Sequence, residues 1–246
     1  MADEFYAPER VLVVAAHADD IEFGCSGTVA RWTDAGTTVT YCIVTDNSSG
    51  SNDPATDLEQ LIATRRAEQI ASAKVVGVED VRFLNYPDGV LQPTLELRRD
   101  LTRVIRQVRP QIVVAQDPTM VFTPGNDYIN HPDHRAAAEA AIYATFPSSE
   151  TRPIFRELLD EGLEPHRVKK LYLQFAVQPT LYVDITSTFQ RKADALLCHK
   201  SQVGEDVVKP IREWAAESGK AGGFDLAESF RVITINGDDH ETSEQN

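Results

Sequence analysis

The fold is decided by residues 11–24, which read VLVVAAHADDIEFG. The first six of these residues are apolar without interruption, which is typical of a strand buried on both faces of a parallel sheet. His17, Asp19 and Asp20 follow this strand directly. Because ligands of open α/β sheets bind in the crevice at the carboxyl ends of the strands, we expect these three side chains to lie in such a crevice.

Strands and helical segments alternate along the rest of the chain. Further strands are predicted at residues 38–44, 81–84, 112–115, 170–175 and 180–184. This alternation predicts a three-layer, Rossmann-like α/β fold with a mostly parallel sheet and a functional site at the carboxyl ends of its strands. With 246 residues and 42% apolar content, the chain can bury a full core. We expect one catalytic domain over residues 1–246, with a polar, frayed tail at 237–246.

A second polar segment, NHPDHR at residues 130–135, precedes a helical pattern over residues 134–145 that Asp133 could cap. A catalytic zinc site commonly uses three protein ligands and keeps a fourth position for water. His17, Asp20 and His134 could supply those ligands. Alternatively, both segments are only polar helix starts, but three of the six histidines fall within them, which favours a metal site.

The remaining polar residues of the two segments are candidates for acid, base and supporting roles next to the metal. Asp19 would stand beside the metal and take a proton from water. His131 would stand across the opening, where it can donate a hydrogen bond to an oxyanion or protonate a leaving nitrogen. Asp133 suits the role of a partner that fixes the tautomer of one of the histidines.

The two segments resemble the signature of the PIG-L/LmbE superfamily of metal-dependent N-deacetylases, which is Ala-His-Pro-Asp-Asp-Glu with a later His-x-x-His. Here Ala18 stands where the signature has proline, and Glu22 comes one position later. The likeness covers residues 10–203, and its further segments are FGCSGT at 23–28, RRAE at 65–68, YPDG at 86–89, VDI at 183–185 and HKSQ at 199–202.

The resemblance implies the same three metal ligands, Asp19 as the base and His131 as the charged or acidic histidine. It implies zinc as the metal, although two imidazoles and a carboxylate also suit ferrous iron. It further implies that Arg66 and Asp88 face the substrate. Arg65 is the alternative to Arg66, because adjacent residues of a helix point about 100 degrees apart.

Simpler structural roles are open for some of these residues. The two arginines could form surface ion pairs, and Asp88 lies in a strong turn signal. His199 could cap a helix over residues 187–201, and the role of Tyr128 is open as well.

We therefore expect a metal-dependent hydrolase that removes an N-acetyl or other N-acyl group from an amino sugar or an N-acetylglucosamine conjugate. The alternative is an amidase with the same metal site that acts on a thiol-sugar conjugate or an antibiotic-type amide. A remote alternative is a non-catalytic nucleotide-binding module. Gly24 and Gly27 come too late and too sparsely for the Gly-x-Gly-x-x-Gly loop of such a module. The aspartate pair would also stand where pyrophosphate binds.

Composition limits the partners. The net charge of −14 disfavours nucleic acid and anionic membranes, and leaves a small amino sugar as the expected partner. The chain lacks a signal-peptide pattern and an apolar run of the roughly 20 residues that a membrane helix needs, so a cytoplasmic protein is expected. The resemblance implies a homo-oligomer, a trimer or hexamer. Cys25, Cys42 and Cys198 have no metal or redox spacing and are expected to be buried thiols.

Overall fold

The computed structural model describes residues 5–123 and 128–236. Within these ranges seven strands form one sheet: β1 Arg10–Ala15, β2 Thr38–Thr45, β3 Asp80–Tyr86, β4 Ile112–Gln116, β5 Lys170–Gln174, β6 Leu181–Asp184 and β7 Ala227–Thr234. Their spatial order is β3-β2-β1-β4-β5-β7-β6. The first five strands in this order pair in parallel, whereas β7 is antiparallel to β5 and to β6. The predicted mostly parallel sheet is confirmed.

The same residues form eight α-helices: α1 Asp20–Gly24, α2 Ser26–Asp34, α3 Leu58–Val75, α4 Leu95–Val108, α5 Pro132–Tyr143, α6 Glu157–Asp160, α7 Phe189–Leu196 and α8 Val208–Gly222. Apolar residues of α2, α3 and α7 pack on one face of the sheet, and those of α4 and α5 pack on the other. The predicted three-layer α/β architecture is therefore confirmed. None of the helices in the described ranges is both long and apolar enough to cross a membrane.

Strand β1 owes its central place to its apolar sequence. Val11 and Val13 face one core cluster, while Leu12 and Val14 face the other, and all four are buried. A strand between two covered faces needs apolar residues at every position, because successive side chains point to opposite faces. The chain continues from β1 to β2 on one side, whereas β4 pairs with β1 on the other. In open α/β sheets, ligands bind at the carboxyl ends of the strands where the strand order reverses in this way.

Some details differ from the sequence-based expectations. Strand β7, inserted between β5 and β6, was not predicted. Helix α7 ends at Leu196, five residues short of the predicted helix end. Cys25 and Cys42 are buried as expected, but Cys198 is partly exposed. The predicted tail lies outside the described residues, and the extent of the single catalytic domain stays a prediction.

One buried ion pair ties β7 to the helical layer next to it. Lys192 Nζ lies 2.6 Å from Glu228 Oε1, and both side chains are less than 5% exposed. The carboxylate also accepts the main-chain N–H groups of Gly27 and Thr28 at 3.0 and 2.7 Å, in the first turn of α2. Glu228 thereby satisfies helix donors that have no partner within the helix.

Replacing Lys192 with methionine should lower the free energy of unfolding by about 3 to 5 kcal/mol, because it leaves the Glu228 charge buried without its partner. Chemical denaturation of both proteins measures this difference. Lys209 is the matched control, since its side chain is 84% exposed and its Nζ lies 3.9 Å from Oε1 of Glu213. Lys209→Met should change the unfolding free energy by at most about 0.5 kcal/mol, and equal losses in both variants would contradict the prediction.

Candidate active site

The carboxyl ends of three strands bring the polar segments together. His17 lies two residues beyond the end of β1, and Asp88 lies two residues beyond the end of β3. Helix α5, which follows β4 in the chain, begins at Pro132 and has His131 as its N-cap. The predicted site residues of both segments therefore meet at the carboxyl edge of the sheet, beside the junction of β1 and β4.

The carboxylate of Asp20 lies between the two predicted histidine ligands. Its Oδ1 is 3.0 Å from Nε2 of His134, and its Oδ2 is 3.7 Å from Nδ1 of His17. Burial alone would raise the pKa of Asp20, but the charge of His134 and its hydrogen bond, together with His17, lower the pKa to about 2. An ionised carboxylate thus contacts both imidazoles that the sequence analysis proposes as ligands.

The other nitrogen of His17 faces two further carboxylates. Nε2 lies 2.9 Å from Asp88 Oδ1 and 3.3 Å from Asp133 Oδ2. Burial would lower the pKa of His17, but hydrogen bonds to Asp133 and Asp88 outweigh it and raise the pKa to about 10. A histidine that ligates a metal through one nitrogen commonly donates the other N–H to a carboxylate, which fixes the ring. The arrangement leaves Nδ1 of His17 directed toward Asp20.

Asp133 is fixed by the loop that follows β3. Its Oδ2 accepts a 2.7 Å hydrogen bond from the N–H of Gly89, and its Oδ1 accepts one of 3.0 Å from the N–H of Leu91. The expectation that Asp133 caps the helix is wrong. His131 is the N-cap, because its Nδ1 accepts the N–H of Asp133 at 3.2 Å, and the Asp133 side chain is turned toward His17 instead.

This cap also defines the tautomer of His131. Since Nδ1 accepts a hydrogen bond, the neutral ring carries its proton on Nε2. Burial and the charge of His17 lower the pKa of His131, so the neutral ring is favoured. Its centroid lies 4.8 Å from that of His17 and 5.3 Å from that of His134. His131 therefore presents an N–H donor beside the predicted ligands.

The donor set fits a metal ion. Among the described residues, the candidate ligand atoms of His17, His131 and His134 lie within 4.8 Å of one another, as do those of His17, Asp88 and Asp133. Together with the contacts of Asp20, these distances form one cluster of imidazoles and carboxylates. Such mixed nitrogen and oxygen donors suit zinc and ferrous iron. Asn130 supports the cluster, since its Oδ1 lies 3.0 Å from Nδ1 of His134.

Asp19 has an unusual backbone conformation beside this cluster. Its φ and ψ angles are 90° and −24°, in the left-handed region that non-glycine residues rarely occupy. Burial and the charge of Asp20 raise the pKa of Asp19 to about 7. A carboxylate with a raised pKa takes up a proton more readily than an ordinary one, which is the property that a general base needs.

The two adjacent arginines point to different places. Arg65 is 7% exposed, and its Nη1 donates to the carbonyl of Asn47, while its charge helps to lower the pKa of Asp88. The Arg66 guanidinium lies over the ring of Phe83, 4.6 Å from the centroid, and donates to Asn85. Arg65, the alternative of the sequence analysis, is thus the arginine at the carboxyl edge.

The structure gives His199 and Tyr128 places that the sequence left open. His199 is fully buried, and its Nε2 lies 3.3 Å from Oε2 of Glu22, which is also fully buried. Hydrogen bonds from Gln69 and Ser72 to Oε1 of Glu22 complete this internal network at 3.0 and 2.8 Å. The side chain of Tyr128 is largely exposed.

Gln69 and Asn47 also hydrogen-bond main-chain N–H groups next to the predicted base. The sequence analysis assigned no role to either side chain. The one available signal was in α3, where Arg65, Gln69 and Ser72 recur at helical spacing as polar residues and are buried.

Comparison with known proteins agrees with this geometry. Residues 12–145 match the PIG-L family, described as GlcNAc-PI de-N-acetylase. A diacetylchitobiose deacetylase from Thermococcus kodakarensis is 33% identical over 239 residues, covering 94% of this chain and 85% of the relative. A probable N-acetyl-alpha-D-glucosaminyl L-malate deacetylase from Bacillus anthracis is 28% identical, covering 83% of this chain and 86% of the relative.

A solved structure shows the same likeness in three dimensions. The N,N'-diacetylchitobiose deacetylase from Pyrococcus horikoshii, in complex with its inhibitor MPG, matches with a TM-score of 0.85 at 32% identity. The match covers 92% of this chain and 84% of that chain. Since the family match spans the two polar segments and the relatives cover most of this chain, the resemblance noted in the sequence is confirmed. This chain belongs to the PIG-L family of deacetylases.

Proposed function

We propose that this protein is a metal-dependent hydrolase that removes the N-acetyl group from an N-acetylglucosamine unit of a short sugar or sugar conjugate, with diacetylchitobiose as the first substrate to test. The observation that carries the proposal is the cluster of His17, Asp20 and His134 with Asp19 beside it at the carboxyl edge. The likeness to two diacetylchitobiose deacetylases, which covers more than nine-tenths of this chain, supports the substrate class.

His17 Nδ1, Asp20 and His134 Nε2 would hold the metal, which we propose to be zinc, with ferrous iron as the alternative that the donors also suit. The bound ion supplies Lewis acidity, which polarises the amide carbonyl and acidifies a water molecule. Asp88 and Asp133 hold the His17 ring in place through Nε2. We therefore assign Asp88 to the support of a ligand rather than to direct contact with the substrate.

The residues of this chain carry the protons. Asp19 takes a proton from a water molecule while the oxygen of that water attacks the acetyl carbon. The Nε2–H of His131 donates a hydrogen bond to the oxygen that gains negative charge. Asp19 then passes this proton to the amide nitrogen, the C–N bond breaks, and acetate and a free amino sugar result. Asp19 is then ready for the next cycle.

Acetate release from diacetylchitobiose and N-acetylglucosamine, measured before and after chelation and after zinc is returned, tests this function. We expect about one metal ion per chain, release that stops on chelation, and recovery with zinc. Bound metal without acetate release from any amino sugar would favour the amidase alternative. A chain that binds no metal would refute the proposed ligand set.

Arg65, rather than Arg66, should bind the substrate. Its Nε has no hydrogen-bond partner among the described residues, and the side chain is nearly buried beside Asp88. A charged hydrogen bond contributes about 1.5 to 3 kcal/mol, so Arg65→Met should lower kcat/KM by roughly 10- to 150-fold. Arg66→Met is the matched control and should stay within about twofold, because surface contacts contribute little. The reverse order of effects would restore Arg66 as the binding residue.

The remaining expectations about partners stay predictions. We expect a small amino-sugar substrate and no binding to nucleic acid or membranes, in line with the net charge of −14. A trimeric or hexameric assembly and a cytoplasmic location are likewise predictions. Light scattering and cell fractionation test these two.

A further inference from the structure

The turn that carries Asp19 has a backbone that must be held in place. Its φ of 90° and ψ of −24° are close to those of the third residue of a type II turn, a position that favours glycine. An aspartate held there costs free energy, which the surrounding structure has to offset. The side chain of the proposed base is aimed by this backbone conformation.

Three amide side chains from three parts of the fold hold the peptide groups of this turn. Asn47 Oδ1 accepts the N–H of Ala18 at 2.6 Å. Gln69 Oε1, on α3, accepts the N–H of Asp19 at 3.2 Å. Gln202 Nε2, in the segment after α7, donates to the carbonyl of Ala18 at 3.4 Å. The turn is therefore fixed from outside rather than by its own sequence.

The hydrogen bond from Ala18 to Asn47 satisfies a buried main-chain donor. The second position of a type II turn, here Ala18, favours proline, whose ring fixes φ and which has no N–H. Alanine leaves an N–H in a place where Ala18 is fully buried, and a buried donor without an acceptor is destabilising. Asn47 is 2% exposed, and its Nδ2 donates to the carbonyl of Thr45 at 3.2 Å, which points Oδ1 toward Ala18.

We propose that Asn47 is a positioning residue for the base Asp19, and that its hydrogen bond to the Ala18 N–H replaces the restraint that proline gives to such a turn. Asn47 acts through the backbone of residues 18 and 19, not on the substrate. The proposal rests on the proposed function, in which Asp19 is the base. It predicts that Ala18 and Asn47 depend on each other.

A double-mutant cycle tests this dependence. Asn47 has a φ of 64°, which glycine adopts without strain, so Asn47→Gly removes the side chain and spares the backbone. This variant should lose at least about tenfold in kcat with KM nearly unchanged, and its Tm should fall by about 3 to 8 °C, because the Ala18 N–H loses its acceptor. Ala18→Pro alone should also lose activity, because the ring would press on the Asn47 oxygen.

The double variant Ala18→Pro/Asn47→Gly should recover kcat to within about threefold and most of the lost Tm, since proline fixes the turn and needs no acceptor. Asn85→Gly is the matched control, because Asn85 has a φ of 61° but is exposed. It should change neither quantity. If the losses of the two single variants add instead, Asn47 does not act through Ala18 and the proposal is wrong.

The Tm cycle is independent of catalysis and of metal content. If Asp19→Asn keeps its turnover, the proposed function fails, while rescue of Tm in the double variant still establishes the link between Ala18 and Asn47. If Tm is rescued but kcat is not, the bond is purely structural and the positioning role is refuted. If both are rescued in a protein that needs Asp19, the proposal is supported.

Discussion

Asp19→Asn is expected to lower kcat by about 10²- to 10⁴-fold while the protein keeps its bound metal, because a positioned general base contributes a factor of this size. Asparagine has nearly the same shape as aspartate but cannot accept a proton from water at neutral pH. The proposed ligands His17, Asp20 and His134 are untouched. In the unsubstituted protein, burial and the charge of Asp20 raise the pKa of Asp19 to about 7. A carboxylate with this pKa accepts a proton readily near neutral pH.

Elemental analysis and acetate release on the same preparation measure the two quantities separately. Asp206→Asn is the matched control, since this aspartate is exposed on the surface. It should retain both metal and rate. If Asp19→Asn loses metal and turnover together, Asp19 is a ligand or supports one, and the separation of base from ligands is wrong.

The location of the site could be predicted because it depends on local sequence. An unbroken apolar strand has to be central in the sheet, and the polar residues that follow it have to lie at its carboxyl edge. For this reason His17 and Asp20 could be placed from residues 11–24 alone. The second segment was recognisable by its two histidines before a helical pattern, although the sequence could not show which side chain caps the helix.

Features that depend on contacts between distant parts of the chain could not be predicted. The carboxylate of Glu22 meets His199 only because α7 packs against α1, and no local pattern records this contact. Strand β7 was missed for a similar reason, since its place between β5 and β6 is decided by pairing partners and not by its own sequence. The choice between Arg65 and Arg66 depended on the rotation of α3, which its weakly patterned sequence does not define.

The identity of the third metal ligand decides between two arrangements of the site. His17 and His134 belong to both, whereas either the Asp20 carboxylate or the His131 ring completes the set. The structure favours Asp20, because its oxygens contact both histidines. His131 is held by its Nδ1 as the cap of α5, which leaves Nε2–H as a donor. Nε2 of His131 cannot both donate a hydrogen bond to the oxyanion and bind the metal.

Asp20→Asn should therefore lose most of its bound metal, because the substitution removes a negative charge that contacts both proposed ligand histidines. His131→Gln should keep about one ion per chain and lose about 10²-fold in kcat, since it changes the hydrogen bond to the oxyanion and the cap of α5 but none of the proposed ligands. Metal content after dialysis measures the first effect. The rise of Tm with added zinc is a second measure of metal binding by Asp20→Asn, because an ion that binds the folded state raises its stability. Loss of metal from His131→Gln with retention in Asp20→Asn would establish the three-histidine site and would require another group to stabilise the oxyanion.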